Sequence, residues 1–253
     1  MRTNLADRER VILYYSRIAD DYDRLRFESS KDRFISNLQT RWFTCQVADR
    51  GGMVLEIGSG TGRVTLPLAA HAAQVVATDS SLNMVLKLRE KSGKQKVTNI
   101  DLLVCDSHWL PFREETFDSA VGARVFWHVV DASQSLAQAL SVLKKSRPVI
   151  FDFPNSSGAF RILSAAMRSQ NVITLFLTSS SIHRVLGLTN RSIIIEGHVS
   201  PILYLWPESI FPRRHTLRSL LYALERLGRK RVFSWMFTYF MINLREGKHK
   251  ILC

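Results

Sequence analysis

The sequence predicts an α/β chain built on a doubly wound, mostly parallel sheet, and three observations carry that prediction. Short apolar runs bounded by glycine or polar turns alternate with segments of helical periodicity between residues 53 and 153. A glycine-rich loop follows the first of these runs. Aspartates close the second and third runs, at the carboxyl edge where open α/β sheets bind ligands. Strands that alternate with helices pair in parallel, because each helix carries the chain back to the same edge.

Taken in order, residues 5 to 45 read as helix: Val11, Leu13, Tyr14, Ile18, Tyr22 and Leu25, then Phe34, Ile35, Leu38 and Trp42, recur every three to four positions. Two helices are expected before the sheet. Met53 to Ile57 is a short apolar run between Gly51-Gly52 and a glycine loop, as a buried strand would be. A helix follows from Val64 to His71, a second strand from Gln74 to Thr78, and a helix from Ser81 to Lys91 with Ser80 or Ser81 as its cap. Ile100 to Cys105 is the third strand, Phe117 to Ala123 the fourth, Ser133 to Leu143 a helix, and Val149 to Phe153 the fifth strand. After Asn155 the rhythm stops. Ser156 to Pro212 has no clean βα period and reads as an insertion covering the ligand edge. Thr216 to Leu227 reads as a helix ended by Gly228, and Val232 to Leu244 as one or two closing strands, antiparallel to the rest. The expected organisation is a helical cap over residues 1–50, a ligand-binding core over 51–155, a substrate cover over 156–212, and a closing helix and strands over 213–253.

The chain has 253 residues, of which 46% are hydrophobic and 23% charged, which excludes a mainly disordered chain. Its longest charge-free stretches, Val64 to Thr78 and Ser169 to His183, are fifteen residues, short of the roughly 18 a membrane-spanning helix needs. Met1 is followed by a charged run through Arg10 without an apolar segment, so no secretory signal is expected and the predicted location is cytoplasmic. Cys45, Cys105 and Cys253 are too scattered for a disulfide framework or a zinc knuckle, and no metal site is expected. The net charge is +13, and residues 151–253 hold 14 Lys and Arg against 5 Asp and Glu. That excess is either a solvated basic surface or a contact for a polyanion, an anionic membrane or RNA.

The densest local signal is Glu56-Ile57-Gly58-Ser59-Gly60-Thr61-Gly62, an E-x-G-x-G-x-G between a strand and a helix. Glycines there permit a tight turn and close approach of a ligand to the main chain. Asp79 ends the second strand 19 residues after Gly60, where a carboxylate can accept from both hydroxyls of a ribose. Asp106, with Ser107, ends the third strand, placed for an adenine ring and its exocyclic amine. A nicotinamide dinucleotide is the competing ligand, but its fingerprint spaces glycines as G-x-G-x-x-G and lacks the acid before them.

These features, taken jointly, resemble the class I S-adenosylmethionine-dependent methyltransferases, in the branch similar to the ubiquinone and menaquinone biosynthesis enzymes and their small-molecule relatives. The resemblance runs from about Tyr14 to Asp152. It rests on Tyr15-Ser16-Arg17-Ile18-Ala19-Asp20-Asp21-Tyr22-Asp23, on Val54 to Arg63, on Val76-Ala77-Thr78-Asp79-Ser80-Ser81-Leu82-Asn83-Met84, on Leu110-Pro111-Phe112 with Thr116-Phe117-Asp118, and on Val142-Leu143-Lys144-Lys145. It implies a Rossmann-like sheet of seven strands and S-adenosyl-L-methionine as cofactor. It also implies that Glu56 organises the loop and approaches the methionine amino group through water or backbone, that Gly58 and Gly60 pass beside the cofactor, and that Asp79 takes the ribose, with Ser59, Thr61, Gly62 and Ser80 among the cofactor-binding residues. Met84 or Leu82 would lie near the adenine, Asp106 and Ser107 at its edge, and Ala123 by the methionine part, with Tyr14 and Tyr22 closing over it. One departure is visible: relatives usually turn into the fifth strand through Gly-Gly, whereas this chain has Ser146-Arg147-Pro148.

Methyl transfer from a sulfonium needs alignment and exclusion of water rather than a protein nucleophile, and a base only when the acceptor must lose a proton. His128, Tyr22 and Tyr15 are the candidate bases. Arg124, His128 and Trp206 are candidate acceptor contacts. Against these stand plainer readings: Asp106 as a turn residue, His128 as a satisfied structural histidine, Arg124 as a surface cation, and Trp206 as core. The expected activity is methylation of a small or lipid-like acceptor. A transfer RNA methyltransferase using the basic carboxyl-terminal part, and a non-catalytic cofactor-binding partner subunit, are the alternatives.

Overall fold

The computed structural model describes residues 5–48, 52–126, 128–154, 192–198, 211, 221–222 and 239–245. Three helices precede the sheet, not two: α1 (Leu5–Ile18), α2 (Tyr22–Phe27) and α3 (Ser30–Ala48). The extra break falls at Ala19 to Asp21, where the sequence periodicity runs on but the chain turns, and Asp21 accepts from Arg24 across the turn (2.9 Å). Helix α3 is the apolar one. Its Phe34, Ile35, Leu38, Trp42, Phe43 and Val47 are all buried in the main core, where each large side chain contributes on the order of 2 kcal/mol.

The sheet has strands β1 (Met53–Ile57), β2 (Gln74–Asp79), β3 (Ile100–Val104), β4 (Ser119–Gly122), β5 (Val149–Pro154), β6 (Ser192–His198) and β7 (Tyr239–Arg245), in the order β3-β2-β1-β4-β5-β7-β6. The first five are mutually parallel, with Leu55 opposite both Val76 and Ala120. Strand β7 runs antiparallel between β5 and β6. Strands β1 and β4 are buried almost end to end, as strands covered on both faces must be. Helices α4 (Thr65–Ala69), α5 (Leu82–Lys94) and α6 (Ala132–Ser141) supply the crossovers. Ser81 caps α5 by accepting from the Met84 main chain, and Asp131 caps α6 by accepting from that of Gln134 at 2.9 Å.

The order reverses between β1 and β4, and that is where an open α/β sheet forms its crevice. One expectation needs correcting at the far edge. Ser192–His198, inside the stretch read as a cover, is a sheet strand: its Ile193-Ile194-Ile195 run pairs with β7, far along the chain, which local periodicity cannot reveal. The closing segment contributes one described strand, antiparallel as expected. Apart from Phe211, the rest of 156–212, Trp206 included, and most of the expected Thr216–Leu227 helix lie outside the described residues.

The departure at Ser146-Arg147-Pro148 has a geometric cost. Ser146 adopts φ +61°, the left-handed region that favours glycine. The turn is held all the same, because Lys144 and Arg147 both pair with Asp118 (3.0 and 3.3 Å), which also accepts from the Met53 main chain at 3.1 Å. Among the described residues no helix is long and apolar enough to cross a membrane.

Candidate active site

A cleft opens along the carboxyl ends of β1, β2, β3 and β4, roofed by α1 and α2, and encloses about 860 Å³ with its open mouth included. Its floor begins at the turn after β1. Gly58 has φ +69°, and a Cβ there would sit 2.4 Å from Val125, so glycine is required on two counts. Gly60 has φ +53°, and a Cβ there would meet nothing within 4 Å. The loop is drawn to the next strand by Asp79, which accepts from the Gly60 main chain at 2.8 Å and from that of Ser81 at 2.9 Å. Burial pushes the Asp79 carboxyl above its ordinary range, partly offset by these donors.

Beneath the loop lies Glu56, 1% exposed, with Oε2 lacking any hydrogen-bond partner. Burial pushes its carboxyl up to about 8. Thr65 and the charge of Arg63 offset only part of that burial, and a buried carboxylate so little compensated is costly, so the group is poised to take a proton or a cation. Ser59 and Thr61 are buried behind the loop, and Thr61 donates to Asp23 of α2 at 2.6 Å. Gly62 backs onto Leu88.

At the end of β3, Asp106 lines the cleft with Ser107 and His108. Burial raises the Asp106 carboxyl, but donation from the His108 ring (2.5 Å) and main chain (2.9 Å), with the charge of Arg8, outweighs it, and the net shift is downward. Cys105, beside it, is pushed up to about 11 by burial, so its thiol is inert at neutral pH. Met84 of α5 also faces the cleft, whereas Leu82 is 55% exposed.

The other end, past β4, has a different character. Ala123, Arg124, Val125 and His128 line it, facing Tyr15 and Tyr22. Arg124 adopts φ +56° and is clamped there: its main chain donates to buried Asp152 at 2.6 Å and its guanidinium donates twice to Gln39 Oε1 (3.0 and 2.6 Å). Arg63, lowered to about 10 by burial and then by Arg124, lies with Arg124 against the Phe27 ring (5.7 and 5.9 Å). The Tyr15 and His128 rings meet edge to face at 5.6 Å. Burial raises the Tyr15 hydroxyl far above neutrality, so it remains a donor. Among the described residues no His, Cys, Asp and Glu cluster is arranged to hold a metal.

The cleft thus brings together Gly58, Gly60, Asp79, Ser80, Met84, Asp106, Ser107, Ala123, Arg124, His128, Tyr22 and Tyr15. Tyr14 is not among the lining residues. It packs on the edge of Tyr15 (5.2 Å) outside the cleft, since neighbours on a helix point about 100° apart. Glu56, Ser59, Thr61 and Gly62 support the floor without lining it. Sequence reasoning missed Arg8, Val11, Ile12 and His108, all in the lining. The only sequence signal for His108 is its place two residues after Asp106.

The roof is fastened at several points. Lys91 pairs with Asp23, Lys87 with Asp20 (2.6 Å), Ser16 with Ser81 (2.8 Å), and Asn83 donates to the Ser16 carbonyl (3.0 Å). These contacts join α1 and α2 to the start and outer face of α5.

Comparison with known proteins agrees with this geometry. Residues 55–151 match the family model described as a methyltransferase domain. The chain carries a class I S-adenosylmethionine-dependent methyltransferase domain. It is 34% identical over 155 residues to the ubiquinone/menaquinone biosynthesis C-methyltransferase of Geobacter sulfurreducens, an alignment covering 57% of this chain and 58% of that relative's length. It is 28% identical to the phosphatidylethanolamine N-methyltransferase of Cereibacter sphaeroides, covering 66% of this chain and 83% of that one. In fold it is similar to the magnesium protoporphyrin IX methyltransferase of Synechocystis, solved with S-adenosylhomocysteine, at TM-score 0.67 and 16% identity over 95% of this chain and all of that one.

Proposed function

We propose that the protein is a cytoplasmic enzyme that transfers a methyl group from S-adenosylmethionine to a small-molecule or lipid-like acceptor. The observation that carries the reading is the alignment of Gly58-Gly60, Asp79 and Asp106 on consecutive strand ends of one cleft, above a buried, unpartnered Glu56 oxygen. The donor set fits the cofactor. The Asp79 carboxylate suits ribose hydroxyls, Asp106 suits an adenine amine, and Glu56, beneath the floor rather than in the lining, would meet an ammonium group through water or the main chain, where the added positive charge stabilises its charged form. The names of the relatives support the acceptor class, since one is a C-methyltransferase of ubiquinone/menaquinone biosynthesis and another a phosphatidylethanolamine N-methyltransferase.

The bound cofactor supplies an electrophilic methyl group on a sulfonium. The chain's own task is alignment and dryness. Gly58 lets the loop lie close to the β4 end, and Ala123 closes that side. Tyr15, Tyr22, Val125 and Val129 keep water from the reacting end, and Tyr15 offers a hydrogen to an acceptor oxygen. Arg124, held by Gln39 and Asp152, presents a fixed positive charge to an anionic or enolic acceptor. His128 is the base for an acceptor that must lose a proton.

The test is incubation of the purified chain with methyl-labelled cofactor and fractionated cell extract. Label in the lipid or small-metabolite fraction is expected. Label confined to RNA, or none in any fraction despite cofactor binding, contradicts the proposal.

A further inference from the structure

Most buried polar groups around the cleft belong to the floor or the roof already described, but His108 belongs to neither. It is 2% exposed and is fixed at both ring nitrogens. Nε2 accepts from the Asp131 main chain at 3.2 Å. A main-chain N–H can only donate, so Nε2 carries the lone pair and the proton resides on Nδ1. Nδ1 stands 2.5 Å from Asp106 Oδ1 and therefore donates to it. The residue's backbone is held as well, since its N–H donates to the same oxygen at 2.9 Å and its carbonyl accepts from Gln134 at 3.3 Å. Asp131 and Gln134 form the capped first turn of α6. The ring is thus a strut between that turn and Asp106. Both donors fall on Oδ1, which stops the carboxylate from rotating and leaves Oδ2 as the acceptor, with Arg8 4.0 Å away.

We propose that His108 is a positioning residue that locks Asp106 so that its carboxylate discriminates a 6-amino purine from a 6-oxo purine. The inference rests on the reading of the cleft as an S-adenosylmethionine site. A 6-amino group donates and a 6-oxo group accepts, so an oxygen fixed in place attracts the first and repels the second. A carboxylate free to turn adapts to either through water, and loses most of the distinction. The preference therefore depends on a histidine that acts through Asp106.

The experiment measures calorimetric affinities of the full chain for S-adenosylhomocysteine and S-inosylhomocysteine, with His108→Gln, His108→Asn and Asp106→Asn beside the unaltered protein. Glutamine keeps an acceptor for the Asp131 N–H but has no donor at the Nδ1 position. Asparagine keeps that donor and gives up the acceptor. The unaltered protein is expected to prefer the adenosyl ligand by at least about tenfold, as for loss of one hydrogen bond to a charged group. That preference should survive His108→Asn and collapse in His108→Gln and Asp106→Asn. A full preference in His108→Gln with its loss in Asp106→Asn overturns the inference and leaves the adenine reading standing. A full preference in Asp106→Asn, or no binding of either ligand to the unaltered protein, overturns the adenine reading itself. Nitrogen-15 NMR of the ring in the unaltered protein is independent of how the variants fold: a proton on Nδ1 is expected, and a proton on Nε2 in its place contradicts the proposal.

Discussion

The two ends of the cleft are built by different means. At the β1–β3 end, main-chain donors aim the carboxylates: Asp79 is held by Gly60 and Ser81, and Asp106 by the His108 N–H, with the His108 ring as the one side chain added to them. At the β4 end, the groups are side chains held by other side chains: Arg124 by Gln39, and His128 by its edge-to-face contact with Tyr15. Main-chain donors belong to the fold and survive most changes of sequence, whereas a side-chain clamp can be exchanged by altering two residues. The first end therefore suits a ligand shared across a family, and the second an acceptor particular to this protein.

The largest effect expected is at the first end. Asp79→Ala removes the acceptor of two main-chain N–H groups as well as the proposed ribose contacts, and should weaken S-adenosylhomocysteine at least about 100-fold by calorimetry. Arg124→Ala sharpens the contrast from the other side, lowering turnover about tenfold or more while leaving cofactor affinity within about threefold. An equal fall in cofactor affinity would mean that the two ends are not separate.

Glu56 supplies a pH test. Its carboxyl is raised by burial from an ordinary value of 4.5 to about 8 in the folded chain. The folded state then binds more protons than the unfolded state across that window, so this group's stabilising contribution is present below pH 4.5 and lost as pH rises through about 8. Glu56→Gln should flatten the fall in melting temperature over the window. Cofactor binding at pH 7 should release a proton in the unaltered protein and none in the variant, seen as a dependence of binding heat on buffer ionisation enthalpy. The smallest effect lies outside both ends. Ser146→Gly should stabilise the chain by about 0.5–1 kcal/mol, because glycine relieves the left-handed strain but costs more entropy on folding, with no change in cofactor binding.

The same contrast governs what was legible in the sequence. Strands β1 to β5 and the loop from Glu56 to Gly62 are written in consecutive residues, since buried parallel strands are short apolar runs and the turn demands glycine. Asp79 and Asp106 are legible because each ends such a run. Arg8 and His108 are not, because their partners are set by how α1 and α6 pack rather than by spacing. Strand β6 is hidden for a related reason, as its pairing to β7 is a long-range choice. Tyr14 and Tyr15 were separable only once the axis of α1 was known.

Direct calorimetric titration of the purified chain with S-adenosylmethionine and S-adenosylhomocysteine tests the central claim most directly. Saturable one-to-one binding of both in the micromolar range, abolished by Asp79→Ala, is the predicted result. Absence of heat with both, while a nicotinamide dinucleotide titrates to saturation, would contradict the account.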